Sequence, residues 1–196
     1  MPAAKELKPL FRLMNTCKKN NKSFTLIELL VVISIIAILS TIVLININKA
    51  RAKARDARRL SDIKAILLAL ELYYDKYERY PSNYGEYEAA CGNWDTSTVD
   101  NDGDGKPFLE PLQDEGFLSV VPTDPVGTGT CAGLTYRYFR YSAGSNGCDP
   151  ARGAYFVLGV NLMEGCCGYY STSPGFSCPG RDWTPQFAWV TGEFEK

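Results

Sequence analysis

One carboxylate stands out because it lies inside a long apolar segment. The segment from Phe24 to Ile47 contains a single charged side chain, Glu28. A charge in hydrocarbon costs at least about 2.5 kcal/mol, so an acid retained there normally has a partner. If the chain were cut before Phe24, the new α-amino group would lie one helical turn from Glu28. This spacing predicts that Glu28 is an assembly residue that pairs with that cation, in the same chain or in a neighbouring copy.

The segment that precedes Phe24 has the composition of a leader. Met1–Ser23 holds six basic side chains and one acid, whereas the whole chain has a net charge of −1. A small residue, Ser23, then meets the aromatic Phe24. The apolar run that follows is too long for the core of a secretory signal, and no A-x-A pattern follows it. We therefore expect residues 1–23 to be removed and the apolar helix to be retained.

A second candidate site is an acidic, glycine-containing loop. Asp100, Asp102 and Asp104, followed by Gly105, match the first half of an EF-hand loop, and hard oxygen ligands of this kind suit Ca²⁺. The closing Glu is missing, because Pro111 stands at the twelfth position. Two interpretations remain open. The loop is either a single calcium site of another type or a solvated Asp/Gly turn.

Cysteine usage predicts an oxidising compartment. One of the seven cysteines, Cys17, lies in the leader, and the other six lie in the region from Cys91 onward. An even number in a Gly-rich, loop-rich region indicates three disulfides. No C-x-x-C pair occurs, which argues against a zinc ribbon. Six cysteines allow 15 pairings, of which Cys131 with Cys148 is preferred because they bracket a predicted strand. The predicted disulfide residues are Cys91, Cys131, Cys148, Cys166, Cys167 and Cys178.

The hydrophobic pattern predicts one long helix from Phe24 to about Tyr80. Its first half is apolar on all sides and, with a rise of about 1.5 Å per residue, is long enough to cross a membrane. The residue before Pro81 is disfavoured in a helix, which sets the end. The second half is amphipathic. Its apolar stripe, which must pack on the region that follows, consists of Leu60, Ile63, Leu67, Leu70, Tyr74 and Tyr77.

The region from Pro81 to the end of the chain predicts a small globular head. A short helix is expected within 107–117 and strands at 134–141, 154–160 and 187–190, with the tail forming loops held by disulfides. The predicted fold is α+β, a long N-terminal helix packed on a small antiparallel sheet. The predicted regions are a leader (1–23), a transmembrane and assembly helix (24–48), its amphipathic continuation (49–80) and the head (81–196).

A basic run and an aromatic stripe have structural interpretations rather than binding ones. The basic run from Lys49 to Arg59 is typical of a membrane interface, or of residues that pair with acids such as Asp56 and Asp62 of another subunit, rather than of a nucleic-acid site. The aromatic stripe is expected to pack against the head. Its members are Tyr73, Tyr74, Tyr77 and Tyr80.

The junction resembles a known family. Ser23-Phe-Thr-Leu-Ile-Glu28-Leu-Leu is similar to the cleavage and methylation motif of type IV pilins and type II secretion pseudopilins, except that the family prefers Gly where this chain has Ser23. The resemblance is most specific over Lys22–Ile47. Further on, the segment from Pro107 to Gly127 is similar to the head of the major pseudopilin, in which a proline turn leads into a small sheet.

The resemblance implies how the chain is processed and assembled. A prepilin peptidase would cut between Ser23 and Phe24, and Phe24 would be N-methylated. The subunit would cross the inner membrane once. An inner-membrane assembly platform would then build it, with further copies and other pilin-like subunits, into a periplasmic or cell-surface filament of a bacterium. Major pseudopilins also bind calcium as a family.

These observations favour a structural role. The chain has no histidine, which removes the commonest general base, and no nucleophile–base or carboxylate pair stands out, so we expect no enzyme. The leading hypothesis is a polymerising subunit of a type II secretion pseudopilus. One alternative is a type IV pilin for adhesion, motility or DNA uptake. An alternative from another class is a membrane-anchored module that binds calcium or another ligand.

Overall fold

A computed structural model of the chain describes residues 24–82, 91–98, 108–127, 132–165 and 168–196, with the side chains of residues 42–45 excluded. Several predicted site residues therefore lie outside the described part. The described chain divides between Leu44 and Ile45 into two units, each of which is taken by itself below. The predicted residues outside the description are Ser23, Asp100, Asp102, Asp104, Cys131, Cys166 and Cys167.

The predicted long helix is confirmed as α1, Leu26–Tyr77. It begins two residues after Phe24 and ends before Tyr80, which the sequence pattern placed at its end. The reason is local. Glu78 takes the left-handed conformation, with φ at 53°, and its amide donates to the Tyr74 carbonyl over 2.8 Å. A residue in this conformation commonly closes a helix.

The head contains an antiparallel sheet in which the predicted strands are the main members. The four-stranded sheet has the order β1 (Asp95–Thr96), β2 (Tyr136–Tyr141), β3 (Tyr155–Val160) and β6 (Trp189–Phe194). In register, Tyr136 faces Val160 across β2 and β3, and Val160 faces Trp189 across β3 and β6. A short helix, α2 (Glu110–Asp114), lies within the predicted helical segment.

The tail was expected to consist of loops outside the strand predicted at 187–190, and this expectation is wrong. Besides β6, it contains a two-stranded hairpin of β4 (Ser177–Cys178) and β5 (Arg181–Asp182). In addition, β6 runs beyond the predicted end at Val190, and the physical reason lies in β3, whose six residues are all buried. A strand covered on both faces requires hydrogen-bonded neighbours on both edges, because buried backbone groups must be paired. The tail supplies the second neighbour as β6.

The sheet has a core on each face, because side chains alternate along β3. On one face Phe156 and Leu158 join the buried side of α1, where Ile63, Ile66 and Leu70 are fully buried. The predicted apolar stripe is thus confirmed. The tyrosines also pack as predicted, with ring contacts between Tyr73 and Tyr77, between Tyr74 and Tyr80, and between Tyr80 and Phe156.

The second face is closed by aromatic side chains and a disulfide. Tyr155 and Val157 of β3 pack there against the fully buried Trp183. Cys148 is bonded to Cys178, with their Cα atoms 5.0 Å apart, so the preferred pairing of Cys131 with Cys148 is wrong. The turn before Cys148 lies against the β4–β5 hairpin, because the Gly180 amide donates to the Asn146 carbonyl over 2.8 Å. Cys91 is also disulfide-bonded.

Candidate assembly site

The first turn of α1 is closed by two side chains that cap each other. The Glu28 carboxylate accepts from the Thr25 amide over 2.9 Å and from the Thr25 hydroxyl over 2.8 Å. In return, the Glu28 amide donates to the Thr25 hydroxyl oxygen over 3.3 Å. This is the reciprocal capping box whose sequence signature, Thr-x-x-Glu, is present in the chain. The Glu28 carboxylate therefore accepts from one of the free amides at the start of α1.

Only one oxygen of the Glu28 carboxylate accepts these hydrogen bonds. All contacts from Thr25 go to Oε2, and Oε1 receives no hydrogen bond from the residues that the structure describes. The side chain thus stabilises its own helix start and still has an acceptor for a second group. An α-amino group would be a suitable donor, since a cation placed against a carboxylate forms a charge-assisted hydrogen bond.

The side chains that the structure describes in the apolar half of α1 and just before it are exposed. Phe24 is 78% exposed and Leu26 is 81% exposed. Within α1, the most apolar window of 18 residues has the length and composition of a membrane span, and none of it is buried. Apolar surface on this scale is unfavourable in water, at roughly 25 cal/mol per Å². The segment therefore needs a membrane or other apolar helices around it, and it is membrane-anchoring by composition.

In the second unit, α1 is held to the head by a buried arginine. Arg59 is completely buried and forms a bidentate pair with Asp124, from Nε over 2.7 Å and from Nη2 over 3.0 Å. Its Nη1 donates to Asp56 over 2.7 Å and to Glu164 over 2.8 Å. One side chain of α1 thereby ties together two loops of the head, 121–127 and 161–165.

The neighbouring residues complete this arginine cluster, which consists of Arg55, Asp56, Arg59, Asp124 and Glu164. Arg55 forms a second bidentate pair with Glu164 over 2.7 and 2.6 Å. Asp56 accepts from the backbone amides of Glu164 over 3.0 Å and of Gly165 over 2.6 Å. A Cβ atom on Gly165 would lie 2.8 Å from the Asp56 carboxylate, so glycine permits the close approach of the loop.

The cluster shifts the titration of its members. Hydrogen bonds from Arg55, and then from Arg59, lower the pKa of Glu164 to about 2 although partial burial opposes them. Burial alone would raise the pKa of Asp124, but hydrogen bonds from Arg59 and from two backbone amides hold this pKa below its usual value. Burial alone would lower the pKa of Arg59, but the surrounding acids outweigh it and raise this pKa. These three groups are therefore charged at neutral pH.

The basic run that the sequence singles out has two sides. Arg55 and Arg59 point into the head, whereas Lys49, Arg51 and Lys53 are exposed. Asp56 and Asp62, which one interpretation of the sequence paired with another subunit, both have partners within their own chain. Asp56 is used inside its own chain, and Asp62 accepts from the Tyr136 hydroxyl over 2.9 Å. Both acids lie within reach of the head, which sequence spacing alone does not show.

One feature of the sequence indicates the arginine cluster, although the prediction of site residues did not include it. Counting back four residues from Ile63, on the stripe that continues through Ile66 and Leu70, leads to Arg59. A charged residue that continues a buried stripe requires buried acids nearby. The Asp124 partner lies in a proline turn 65 residues away, and no local pattern connects the two.

No group of histidine, cysteine, aspartate or glutamate side chains that could hold a metal ion occurs among the described residues. The predicted calcium residues Asp100, Asp102 and Asp104 lie outside them, so the calcium site stays a prediction. The chemistry that the described part supports is non-covalent: an exposed apolar helix with a capped carboxylate at its start, and a charged cluster that fixes α1 to a folded head.

Comparison with known proteins gives a consistent picture. Residues 18–44 match the family described as the prokaryotic N-terminal methylation motif. The chain is 31% identical over 110 residues to the type II secretion system core protein G of Aeromonas hydrophila, covering 56% of this chain and 71% of that protein. It is 29% identical over 133 residues to the protein of the same name from Pseudomonas aeruginosa, covering 66% and 87%.

A shorter similarity links the chain to a pilus protein. The type IV major pilin protein PilA of Myxococcus xanthus is 35% identical over 60 residues, which cover 31% of this chain and 27% of that protein. No solved structure matches the chain.

Proposed function

We infer that this chain, which belongs to the family of the type II secretion system core protein G, is a structural subunit of a secretion pseudopilus that polymerises through its N-terminal helix. The observation that carries this proposal is the exposed apolar half of α1 with Glu28 capping its first turn. A helix of this kind cannot remain in water. It can lie in a membrane as a monomer and among like helices as a polymer.

The processing steps form the first finer part of the proposal. The methylation motif spans residues 18–44 and supports cleavage between Ser23 and Phe24 by a prepilin peptidase, with N-methylation of Phe24. We expect intact mass spectrometry of the native protein to show the loss of residues 1–23 and the gain of one methyl group. Detection of the uncleaved chain alone would contradict it.

The cellular setting forms the second part. The apolar segment supports a single inner-membrane span, and the disulfide between Cys148 and Cys178 supports a head on the oxidising, periplasmic side. An inner-membrane platform would then assemble the subunits, together with other pilin-like proteins. We further propose that Asp100, Asp102 and Asp104 bind one Ca²⁺. Calcium should raise the melting temperature of the unmutated head but not that of Asp102→Ala.

The pilus alternative has narrower support. The similarity to the type IV pilin covers 31% of this chain, whereas the similarity to core protein G covers 56% to 66% in the two cases above. The longer similarity favours the secretion pseudopilus.

An experiment in the native host separates the two functions. Removal of the gene should stop the release of proteins that the host's type II system exports, while their entry into the periplasm continues. A plasmid copy of the unmutated chain should restore release. Undiminished release, combined with a loss of surface pili or of motility, would contradict the pseudopilus and favour the pilin.

A further inference from the structure

A cavity of about 240 Å³ lies where the end of α1 meets the head. Its walls come from the last turns of α1, the residues that follow α1, the start of α2, and β2. No acidic side chain lines it among the residues that the structure describes, whereas two arginines do. The residues that line this cavity, called the cationic cavity below, are Tyr73, Arg79, Tyr80, Ser82, Pro111 and Arg140.

The size of the cationic cavity limits what it can hold. Sites for drug-sized ligands have volumes of roughly 300 to 1,000 Å³. A cavity of about 240 Å³ is smaller than this range. It therefore suits a ligand of a few non-hydrogen atoms, or one side chain of another protein.

Tyr73 brings an unpaired hydrogen-bond donor to the cationic cavity. The residue is 9% exposed, and its ring packs against those of Tyr77 and Phe117. Its hydroxyl group retains access to solvent but forms no hydrogen bond with a residue that the structure describes, whereas the Tyr74 hydroxyl donates to the Glu195 carbonyl. Because a buried tyrosine hydroxyl usually has a partner, the Tyr73 hydroxyl is available to a ligand.

Arg79 supplies a positive charge without a counter-charge. It directly follows Glu78, the residue whose left-handed conformation closes α1. Its side chain is exposed and forms neither an ion pair nor a hydrogen bond with any residue in the described part of the chain. The whole fork of N–H donors on this guanidinium group is therefore free to bind an anion.

Arg140 is paired, but one of its nitrogens is not used. Its Nε and Nη2 atoms donate to the Glu195 carboxylate over 2.7 and 3.0 Å. The same carboxylate accepts from the Tyr80 amide over 3.0 Å. The Arg140 Nη1 atom has no acceptor among the described residues, so this arginine keeps a donor although its charge is balanced.

The two arginines and Tyr73 lie close enough to influence one another. Burial raises the pKa of Tyr73, and the positive charges of Arg79 and Arg140 oppose this rise. An acid, Glu115, also acts on Tyr73, but its own charge is balanced by Lys76 over 2.6 Å. The cationic cavity therefore combines three converging donor groups with one uncompensated positive charge, that of Arg79.

This combination of charge and donors favours one class of anion. A carboxylate carries a single negative charge, and its two oxygens match the fork of a guanidinium group. A phosphate group carries almost two negative charges near neutral pH, which the single free charge of Arg79 does not balance.

We propose that the cationic cavity binds a carboxylate, held by the Arg79 guanidinium group, Arg140 Nη1 and the Tyr73 hydroxyl. The carboxylate belongs to a small organic acid or to an acidic side chain of another protein, and the two sources present the same group. The site is independent of the proposed function, because it requires only the head and the second half of α1.

Ligand-detected NMR on the full chain in nonionic detergent tests this proposal, with propionate as the probe because it has the size of a glutamate side chain. Saturation transfer from the protein to propionate should rise to a plateau as propionate is added. Propionamide has the same size without the charge and should give no such plateau. Acetate should displace propionate at a lower concentration than inorganic phosphate does.

Two variants identify the groups that hold the carboxylate. Arg79→Ala should weaken propionate binding at least about tenfold, because a charge-assisted pair is lost. Tyr73→Phe keeps the ring and removes only the hydroxyl, so it should weaken binding by about two- to tenfold. The matched controls are Arg58→Ala, whose side chain is 66% exposed and outside the cavity, and Tyr77→Phe. Both controls should bind propionate as the unmutated chain does.

Three results would overturn the proposal. The unmutated chain could show no saturable binding of propionate. Arg79→Ala and Tyr73→Phe could bind propionate as tightly as their controls while circular dichroism shows them folded. Phosphate could displace propionate more effectively than acetate, which would refute the assignment to a carboxylate. If propionate binds as expected, a blocked tripeptide with a central glutamate identifies the source. Tighter binding than propionate assigns the site to an acidic side chain, and weaker binding assigns it to a free acid.

Discussion

Arg59 shows how a single buried charge can decide the packing of a helix. It is completely enclosed, yet each of its partners is an acid, and four hydrogen bonds of 2.7 to 3.0 Å join it to three carboxylates. Taking such charges out of water is costly, and their mutual attraction offsets this cost only while the set is complete. The cluster therefore makes the position of α1 on the head specific, and it makes the loss of any one member expensive.

Arg59→Ala should lower the free energy of unfolding of a fragment beginning at Ile45 by about 3 to 5 kcal/mol, because the buried Asp56 and Asp124 lose their cation while Glu164 keeps only Arg55. Arg58→Ala is the matched control, since its side chain is 66% exposed and lies 3.8 Å from Asp62. An exposed pair contributes about 1 kcal/mol or less. Urea titration of both variants measures the difference, and equal losses would contradict the structural role assigned to Arg59.

Lowering the pH should reduce the free energy of unfolding of the head over a defined range. The folded pKa values of Glu164 and Asp124 lie below their unfolded values, so both groups stabilise the head above pH 4.5. That contribution is lost as pH falls through the folded pKa, which is about 2 for Glu164. The linkage amounts to at most roughly 3 kcal/mol for Glu164.

The measurement is the unfolding free energy of the same fragment between pH 5 and about 2. Glu164→Gln removes this titrating group, so its stability should change less over the range than that of the unmutated fragment. A pH profile that the substitution leaves unchanged would show that Glu164 does not carry the predicted linkage.

Among the helices and strands, the sequence predicted those whose formation depends on residues close together along the chain. The helix and its apolar stripe were predicted because periodicity and Pro81 act within a few residues. The strands β2 and β3 were predicted from aromatic and β-branched runs. The two-residue β1 is too short for any pattern, and β6 continues beyond the predicted end at Val190 because β3 requires a second edge partner.

The same distinction holds for the site. Glu28 was singled out as an assembly residue because one charge in an apolar run is a local anomaly, and its role in assembly stays a prediction. The cluster around Arg59 and the pairing of Cys148 with Cys178 depend on contacts 65 and 30 residues apart along the chain. Spacing in the sequence carries no information about which distant loops the folded head brings together.

Gly159 tests how tightly β3 is packed. A Cβ atom at this position would lie 2.5 Å from the ring of Phe187, which is itself buried. Gly159→Ala should therefore cost about 1 to 3 kcal/mol of stability through overpacking. Addition of Phe187→Leu should recover part of this loss, which a double-mutant cycle would reveal as a coupling. Strictly additive losses would contradict the steric account.

The whole molecule combines an apolar helical segment that is unburied with a head that buries its own core. Within the head, a two-sided sheet, the arginine cluster and the Cys148–Cys178 bridge give a stable body. Taken by itself, the most apolar window of α1 has none of its residues buried. On the proposed function, this division would let one chain be first a membrane-held monomer and then a filament subunit, with only the surroundings of the apolar segment changing.

Glu28 has two assigned roles, capping the first turn of α1 and pairing with the α-amino group of Phe24. Two kinds of variant separate these roles. Thr25→Ala removes the capping partner but keeps the carboxylate, so it should affect only the helix start. Glu28→Ala removes the charge that would pair with the α-amino group of Phe24. Glu28→Gln keeps the shape without the charge. If the charge matters, Glu28→Gln should behave like Glu28→Ala.

The most direct measurement is the amount of sheared filament relative to the membrane-bound subunit, for each variant expressed beside the secretion machinery. We predict normal insertion and leader removal in every case, filament near the unmutated level for Thr25→Ala, and little or none for Glu28→Ala and Glu28→Gln, since an unpaired ammonium would be left in an apolar core. Filament at the unmutated level from Glu28→Ala would contradict the account of assembly through this carboxylate.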